Sequence, residues 1–334
     1  MKSHLYCRAI PGALFLLTSL SLSIPCTAAE QEGIARDIRT GDFVVTYKGV
    51  DDQGNEVFQQ VIFVPGTKIE PSLKSKFSFD RNDRIQYRYK LTNRSTSLQN
   101  IDLILITASS AVSDSLAIPE KWNGTISINI EGGGNRVAWA HWKRGDDYAG
   151  LAAGRSESGF GYMSIDLPGV GVVQLSGATP VFGFPDEGPD PESEVGKQLN
   201  QLETNDFVPR LAAIPRIPNP APFNAVVVLG GIQKHVQEEM AAMQLIDPVL
   251  LGLIDRGLTQ AIAAAQIGNT SSLLHEIKNL RKLLKQEHAD VDQDNDGDDD
   301  DEEKQPKPRI AKLAAKVLDF DLKYIEKRTK GDKD

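Results

Sequence analysis

Between residues 40 and 183 apolar and polar residues alternate in short runs separated by turn residues. Ile85, Tyr87, Tyr89 and Leu91 fall on one side of such a run and Gln86, Arg88 and Lys90 on the other, the two-residue period of a strand. Ile126, Ile128 and Ile130 share a face in the same way. Strands are predicted over 43–47, 57–64, 85–91, 101–106, 125–130 and 170–175, and clusters such as "DDQGN" and "EGGGN" supply turns between them. Successive strands with no helix between them predict an antiparallel β-sandwich, immunoglobulin-like or jelly-roll-like.

From 185 to 222 the stretches "PDEGPDPESE" and "IPRIPNPAPF" are dense in proline, which predicts a long loop or linker without helix or central strand. "NAVVVLGG", 224–231, reads as a last edge strand or a return to the core. Beyond it the period becomes helical. Breaks are expected at Pro248 and Gly252, and a C-cap at Gly268 and Asn269. Leu273, Leu274, Ile277, Leu280, Leu283 and Leu284 form one apolar stripe, and Ile310, Leu313, Ala314, Val317 and Leu318 a second. Two such helices joined by a short link predict a hairpin. The fold class is therefore α+β and multidomain: a sandwich over 40–231 that includes the proline-rich segment 185–222, then a helical domain over 232–330.

At the start of the chain Lys2 and Arg8 precede the apolar run "ALFLLTSLSLSI" and the small residues of "PCTAAE", the pattern of a secretory signal peptide over 1–29 cleaved near Ala29. Secretion to the extracellular space or the periplasm is expected. Ser23 and Pro25 depart from a lipoprotein signal around Cys26, which argues against lipidation there. Cys7 and Cys26 both fall in this segment, so the mature chain is expected to carry no thiol, disulfide or cysteine metal site. No later apolar run approaches the ~18 residues of a membrane span.

The formal charge of -9 is concentrated in "DVDQDNDGDDDDEE", 290–303, whose ten acids leave the remainder at about +1. A nearly neutral body offers no footprint for nucleic acid. The acidic run fits the spacing of a calcium loop. Asp292, Asp294, Asp296, Asp298 through its carbonyl, Asp300 and Glu303 occupy the six ligand positions, with Gly297 at the sharp turn. One calcium ion is the expected cofactor, because a hard cation takes six to eight oxygens and relieves the repulsion among clustered carboxylates. Asp299, where a paired EF-hand keeps an aliphatic residue, and Pro306 and Pro308, which stop a helix from leaving the loop at once, depart from the EF-hand pattern. The competing reading is a solvated acidic spacer.

Other chemistry is thinly signalled. His141, His235, His275 and His288 show no metal-binding spacing, and "GRSESGFG" lacks the Gly-x-Ser-x-Gly of a serine elbow. Asp146, Asp147 and Glu157 are the nearest acids for glycoside hydrolysis on the sandwich loops. Trp122, Trp139 and Trp142 could form a sugar platform, although Trp139 and Trp142 point to opposite sides of an extended strand and one of them is expected in the core.

"YRYKLTNRS", "IDLILI", "WNGTI", "VAWAHW", "LAAGRSESGFGYMS" and "LPG", within 85–177, together resemble a β-sandwich domain of secreted bacterial proteins of unknown function; the resemblance implies a fold and no catalytic residue. "AIAAAQIGNTSSLLHEIKNLRKLL" with "IAKLAAKVLDFDLKYI" resembles the FIMAH helical hairpin appended to secreted enzymes and adhesins. In that hairpin the acidic insert replaces a plain turn. The expectation from sequence is a secreted binding or structural module that carries a calcium loop, is not an enzyme, and meets an extracellular glycan or protein. The alternative is a carbohydrate-binding protein or a polysaccharide hydrolase.

Overall fold

The computed structural model describes residues 31–80, 84–112, 115–128, 134–141, 150–288 and 309–331. Among them are three antiparallel sheets and a helical region. The first sheet holds β1 (Gly33–Arg36), β2 (Phe43–Val50) and β3 (Glu56–Phe63) in that order. The second has the order β4 (Pro71–Phe79), β5 (Ile85–Asn93), β9 (Ser156–Ser164). The third runs β11 (Val208–Ile217), β10 (Leu167–Gly177), β6 (Ile101–Ala108), β8 (Asn135–Ala140), β7 (Asn123–Ser127).

The alternation along β5 is realised: Ile85, Tyr87, Tyr89 and Leu91 are buried, while Arg88 and Lys90 are exposed. Tyr89 and Phe160 of the second sheet meet Trp139 of the third edge to face, with ring centroids 6.1 and 5.8 Å away. Tyr89 Oη also donates to the carbonyl of Ala213 on β11 at 2.9 Å, so the polar tip of a buried ring finds a partner. Where the edges of β4 and β11 approach, the Ala213 amide donates to Ser75 Oγ and Arg210 Nε to the carbonyl of Pro71. The two Trp side chains in described residues are core: Trp122 is 6% exposed and Trp139 is fully buried. They therefore form no sugar platform; the apolar area of an indole is worth more inside than on a loop. Ile128 falls just beyond β7, a terminal strand, and is exposed.

Further expectations are corrected. The proline-rich segment holds both a helix and a strand. Helix α1 (Glu194–Thr204) begins after the last proline of the first cluster, where Ser193 Oγ caps the Gly196 amide. Strand β11 contains Pro209 and Pro215, and tolerates them because it is the terminal strand of its sheet and has a neighbour on only one side. The run "NAVVVLGG" is likewise the start of a helix and not a strand: α2 (Ala225–His235), capped by Asn224 Oδ1 on the amides of Val226 and Val227. Its β-branched residues favour a strand locally, but the cap and the burial of Val228, Leu229 and Ile232 on one helical face override that preference.

A π-helical segment, Val236–Met240, follows α2. Helix α3 (Pro248–Gln266) starts at the predicted break, with Asp247 as N-cap and Pro248 in the first turn, where a missing amide costs nothing. Gly252 does not break it; one interior glycine costs only about 1 kcal/mol, which packing covers. Gly268, at φ +68, supplies the left-handed residue before α4 (Thr270–Glu287). Helix α5 (Lys312–Lys330) is the last. Its Phe320 stacks on Phe79 of β4 at 4.8 Å and meets Phe77 edge to face, and Tyr324 stacks on Phe79 at 5.1 Å. Through such contacts one apolar core runs from the second and third sheets into α2 to α5. A second, smaller core joins Val45, Tyr47 and Phe63 of the first sheet to Val195 and Leu199 of α1. Among the described residues no helix is long and apolar enough to cross a membrane.

Candidate functional site

A groove of about 740 Å³ lies between β4 and α5. One wall is Leu73, Lys74, Ser75, Lys76, Phe77 and Ser78, six consecutive residues of β4. Alternate side chains of a strand point to opposite faces, so a groove lined by consecutive residues follows the strand's edge. The other wall is α5, with Lys312, Lys316, Asp319, Phe320 and Lys323 on one helical face, at spacings of three and four. Leu211 of β11 and Leu245, before α3, contribute to an apolar floor.

The rim carries several cationic side chains. Among the described residues that line the groove are Lys74, Lys76, Arg88, Lys312, Lys316 and Lys323, and one acid, Asp319. That acid is committed within the fold: Arg281 of α4 donates to it at 2.9 Å and Lys323 pairs with it at 2.8 Å. The cations come from three elements brought together by folding. Lys90 on β5 pairs with Lys74 across the ladder and extends the basic surface onto the outer face of the second sheet, into a second depression of about 530 Å³ that also touches Lys76, Arg88 and Lys90. The nearly neutral sum over the body conceals this clustering.

At one end of the groove lie the described flanks of segment 289–308. Arg309 bridges Glu287, the last residue of α4, and Asp247, the N-cap of α3, each at 3.1 Å. The Arg309 guanidinium holds the Asp247 carboxyl below its ordinary value, aided by the Leu250 amide. The Asp247 amide donates to the carbonyl of Arg309, and the Ala311 amide to that of Leu245. Ala311 and Lys312 then enter the groove wall.

The residues singled out by sequence are distributed unevenly over this picture. Asp292, Asp294, Asp296, Asp298, Asp300 and Glu303 lie outside the described residues, as do Trp142, Asp146, Asp147 and the segment 1–29. Glu157 is half-buried on β9, opposite Leu91. Among the described residues no group of three or more His, Cys, Asp or Glu is placed to hold a metal. His235 is buried and its Nε2 accepts from the Val170 amide at 3.0 Å, while Nδ1 faces Glu239 at 3.4 Å. With both nitrogens turned to the fold, this imidazole is a structural group and not a base facing solvent. Sequence reasoning missed the groove because it passed over β4. The signal was there, in the alternation of "SLKSKF", 72–77.

In comparisons with known proteins, neither a family model nor a curated protein matches the chain.

Proposed function

We propose that the protein is a secreted binding module, extracellular or periplasmic, without chemistry of its own, and that its binding surface is the groove between β4 and α5. The observation that carries this reading is the groove itself, in which Arg88 and Lys316 stand beside the apolar side chains of Leu73, Phe77, Leu211 and Phe320, a setting that suits an anionic ligand with apolar surface. The Asp319 carboxylate of the groove is held by Arg281 and Lys323, which supports binding over acid–base catalysis. Titrating a polyuronate into the purified protein tests the reading. Saturable binding that weakens steeply with salt is expected, with at least a tenfold loss in Arg88→Glu/Lys316→Glu at unchanged Tm. No binding of any polyanion would overturn it, and release of reducing ends would replace it with hydrolysis.

The finer architecture belongs to the same proposal. Aromatic contacts between the second and third sheets support reading them as a β-sandwich. Glu287 meets Arg309 while Arg281, a turn and a half earlier, meets Asp319 and Glu326 further on, which supports an antiparallel FIMAH-like hairpin of α4 and α5. Segment 290–303 is read as the calcium loop of this hairpin, with Asp292, Asp294, Asp296, Asp298, Asp300 and Glu303 as ligands. The clamp at Arg309 favours it, because flanks already held together leave the metal less entropy to overcome. Calorimetry with calcium should give one site that Asp292→Ala/Asp294→Ala/Glu303→Ala abolishes; heat unchanged in that variant would identify a plain spacer.

A further inference from the structure

A cleft of about 540 Å³ lies between α1 and the face of the first sheet that packs on it. We infer that this cleft is a second binding site, and that its ligand is a short peptide of about three residues with free termini and apolar side chains. The site is separate from the groove between β4 and α5 and does not depend on it.

The first feature is a cation and an acid that line the same cleft. Arg36, at the end of β1, has its guanidinium 5.9 Å from the centroid of the Phe43 ring, and among the described residues no carboxylate pairs with it. Its planar fork suits a carboxylate. Asp206, just after α1, accepts from the Gly66 amide at 2.7 Å, and among the described residues no cation pairs with it. Burial raises its carboxyl above the ordinary value against the pull of the Gly66 and Thr67 amides, a penalty that a bound ammonium relieves. A ligand with an amine at one end and a carboxylate at the other answers both groups. The second feature is breadth. Arg36 pairs with Phe43 across the ladder and Phe43 with Phe63, so the cation belongs to one edge of the sheet, while Asp206 is held by Gly66, on the chain that leaves the other. Two strand spacings are about 9.6 Å, and an extended tripeptide covers about 10 Å at ~3.3 Å per residue. The third is the lining between the charges. The rings of Phe43 and Phe63, with centroids 6.2 Å apart and planes tilted by 51°, join Ile34 and Leu202 in receiving apolar side chains and present no flat platform for a sugar. Opposite them Gln198, Gln201 and Asn205 recur at intervals of three and four along one face of α1 and its C-cap. Gln198 Nε2 donates to Glu194 and Asn205 Nδ2 to the carbonyl of Gln201, which leaves both amide oxygens as acceptors for peptide N–H groups, and the Gln201 carboxamide can donate and accept.

The test is titration calorimetry of the purified protein with leucyl-phenylalanyl-leucine, its N-acetyl form, its C-terminal amide, and cellotriose as a neutral sugar of similar length. The free tripeptide is expected to saturate one site, with the acetylated and amidated forms each weaker by about tenfold or more. In Arg36→Met the amide should bind as well as the free acid while the preference for a free amine persists; in Asp206→Asn the two preferences should exchange. A general loss of fold does not produce that crossed pattern, and Arg36→Met, an exposed position, leaves the Gly66 anchor intact. Equal binding of the three peptides would overturn the inference and leave an unselective apolar cleft. Cellotriose binding tighter than the free tripeptide would overturn the peptide class, and absence of binding by the free tripeptide would remove the site. Arg88→Glu/Lys316→Glu should leave the affinity unchanged; a loss there would move the tripeptide to the groove and overturn its assignment to this cleft.

Discussion

Two buried residues set opposite pH dependences. Asp321 on α5 is 1% exposed, and neither of its carboxylate oxygens has a hydrogen-bond partner among the described residues. Burial alone raises its pKa well above the ordinary carboxylate value. A folded pKa above the unfolded one gives a contribution that is complete below about pH 4 and is lost as pH rises through the folded pKa. Asp321→Leu should therefore stabilise the protein at pH 7, by about 1–3 kcal/mol in urea unfolding, with the gain shrinking toward pH 4. His235 has the reverse sign. Burial lowers its pKa, with Arg216 adding to the effect and Glu239 opposing it. Its contribution is complete above the unfolded value of about 6.5 and is lost as pH falls, because a proton on Nε2 would face the Val170 amide. Asp102, pushed up to about 6 by burial, works the other way over the same interval, so only a comparison of variants isolates the histidine. His235→Gln should flatten the decline of Tm between pH 7 and pH 5. Neither role was legible in the sequence: Asp321 lies in "DFDLK" beside Asp319, and nothing local distinguishes the acid that finds Arg281 from the one that finds nothing.

At the level of elements, α4 and α5 are joined by Arg281, which donates to Asp319 at 2.9 Å and to Glu326 at 2.7 Å. The Asp319 side chain is only 3% exposed, so loss of the guanidinium leaves a buried charge with Lys323 as its remaining partner. Arg281→Met, which keeps most of the volume, should cost about 2–4 kcal/mol by chemical denaturation; a cost under 0.5 kcal/mol would show that Lys323 suffices. Elements whose period matched their environment were readable in advance. β5 was, because one face packs and the other does not; so were the stripes of α4 and α5. The readings that failed did so where long-range context outweighed local chemistry. Pro209 and Pro215 argued against a strand until β11 proved to have a neighbour on only one side, and the valines of α2 argued for one until its cap and buried face were seen. The groove stayed hidden for a related reason: its cations come from β4, β5 and α5, far apart in sequence, and the ten acids of 290–303 dominate the total charge.

Across the whole molecule, one core links the second and third sheets to α2 to α5. Phe77 and Phe79 on β4 would expose the rings that now meet Phe320 and Tyr324 if the helices were removed. A fragment ending at residue 231 should accordingly fail to give a cooperative melt, while the full chain shows one main transition in calorimetry. The first sheet has its own core with α1 and is tied by Asp186, which accepts from Tyr47 Oη at 2.6 Å and from the amides of Val50 and Gly188. Asp186→Ala should open this part to limited proteolysis before the rest.

The clamp at Arg309 makes the chain between its flanks exchangeable. Glu287, Asp247 and Arg309 fasten the end of one helix beside the approach to the next, so the ends of the link are held by residues outside 290–303. Doubling the length of a loop whose ends are already held costs only about 0.6 kcal/mol. Glycine–serine inserts of half or twice the native length should shift Tm by no more than about 2 °C. The position is then a port into which a foreign epitope, a sensor peptide or another ion-binding sequence can be grafted, displayed at the mouth of a basic groove.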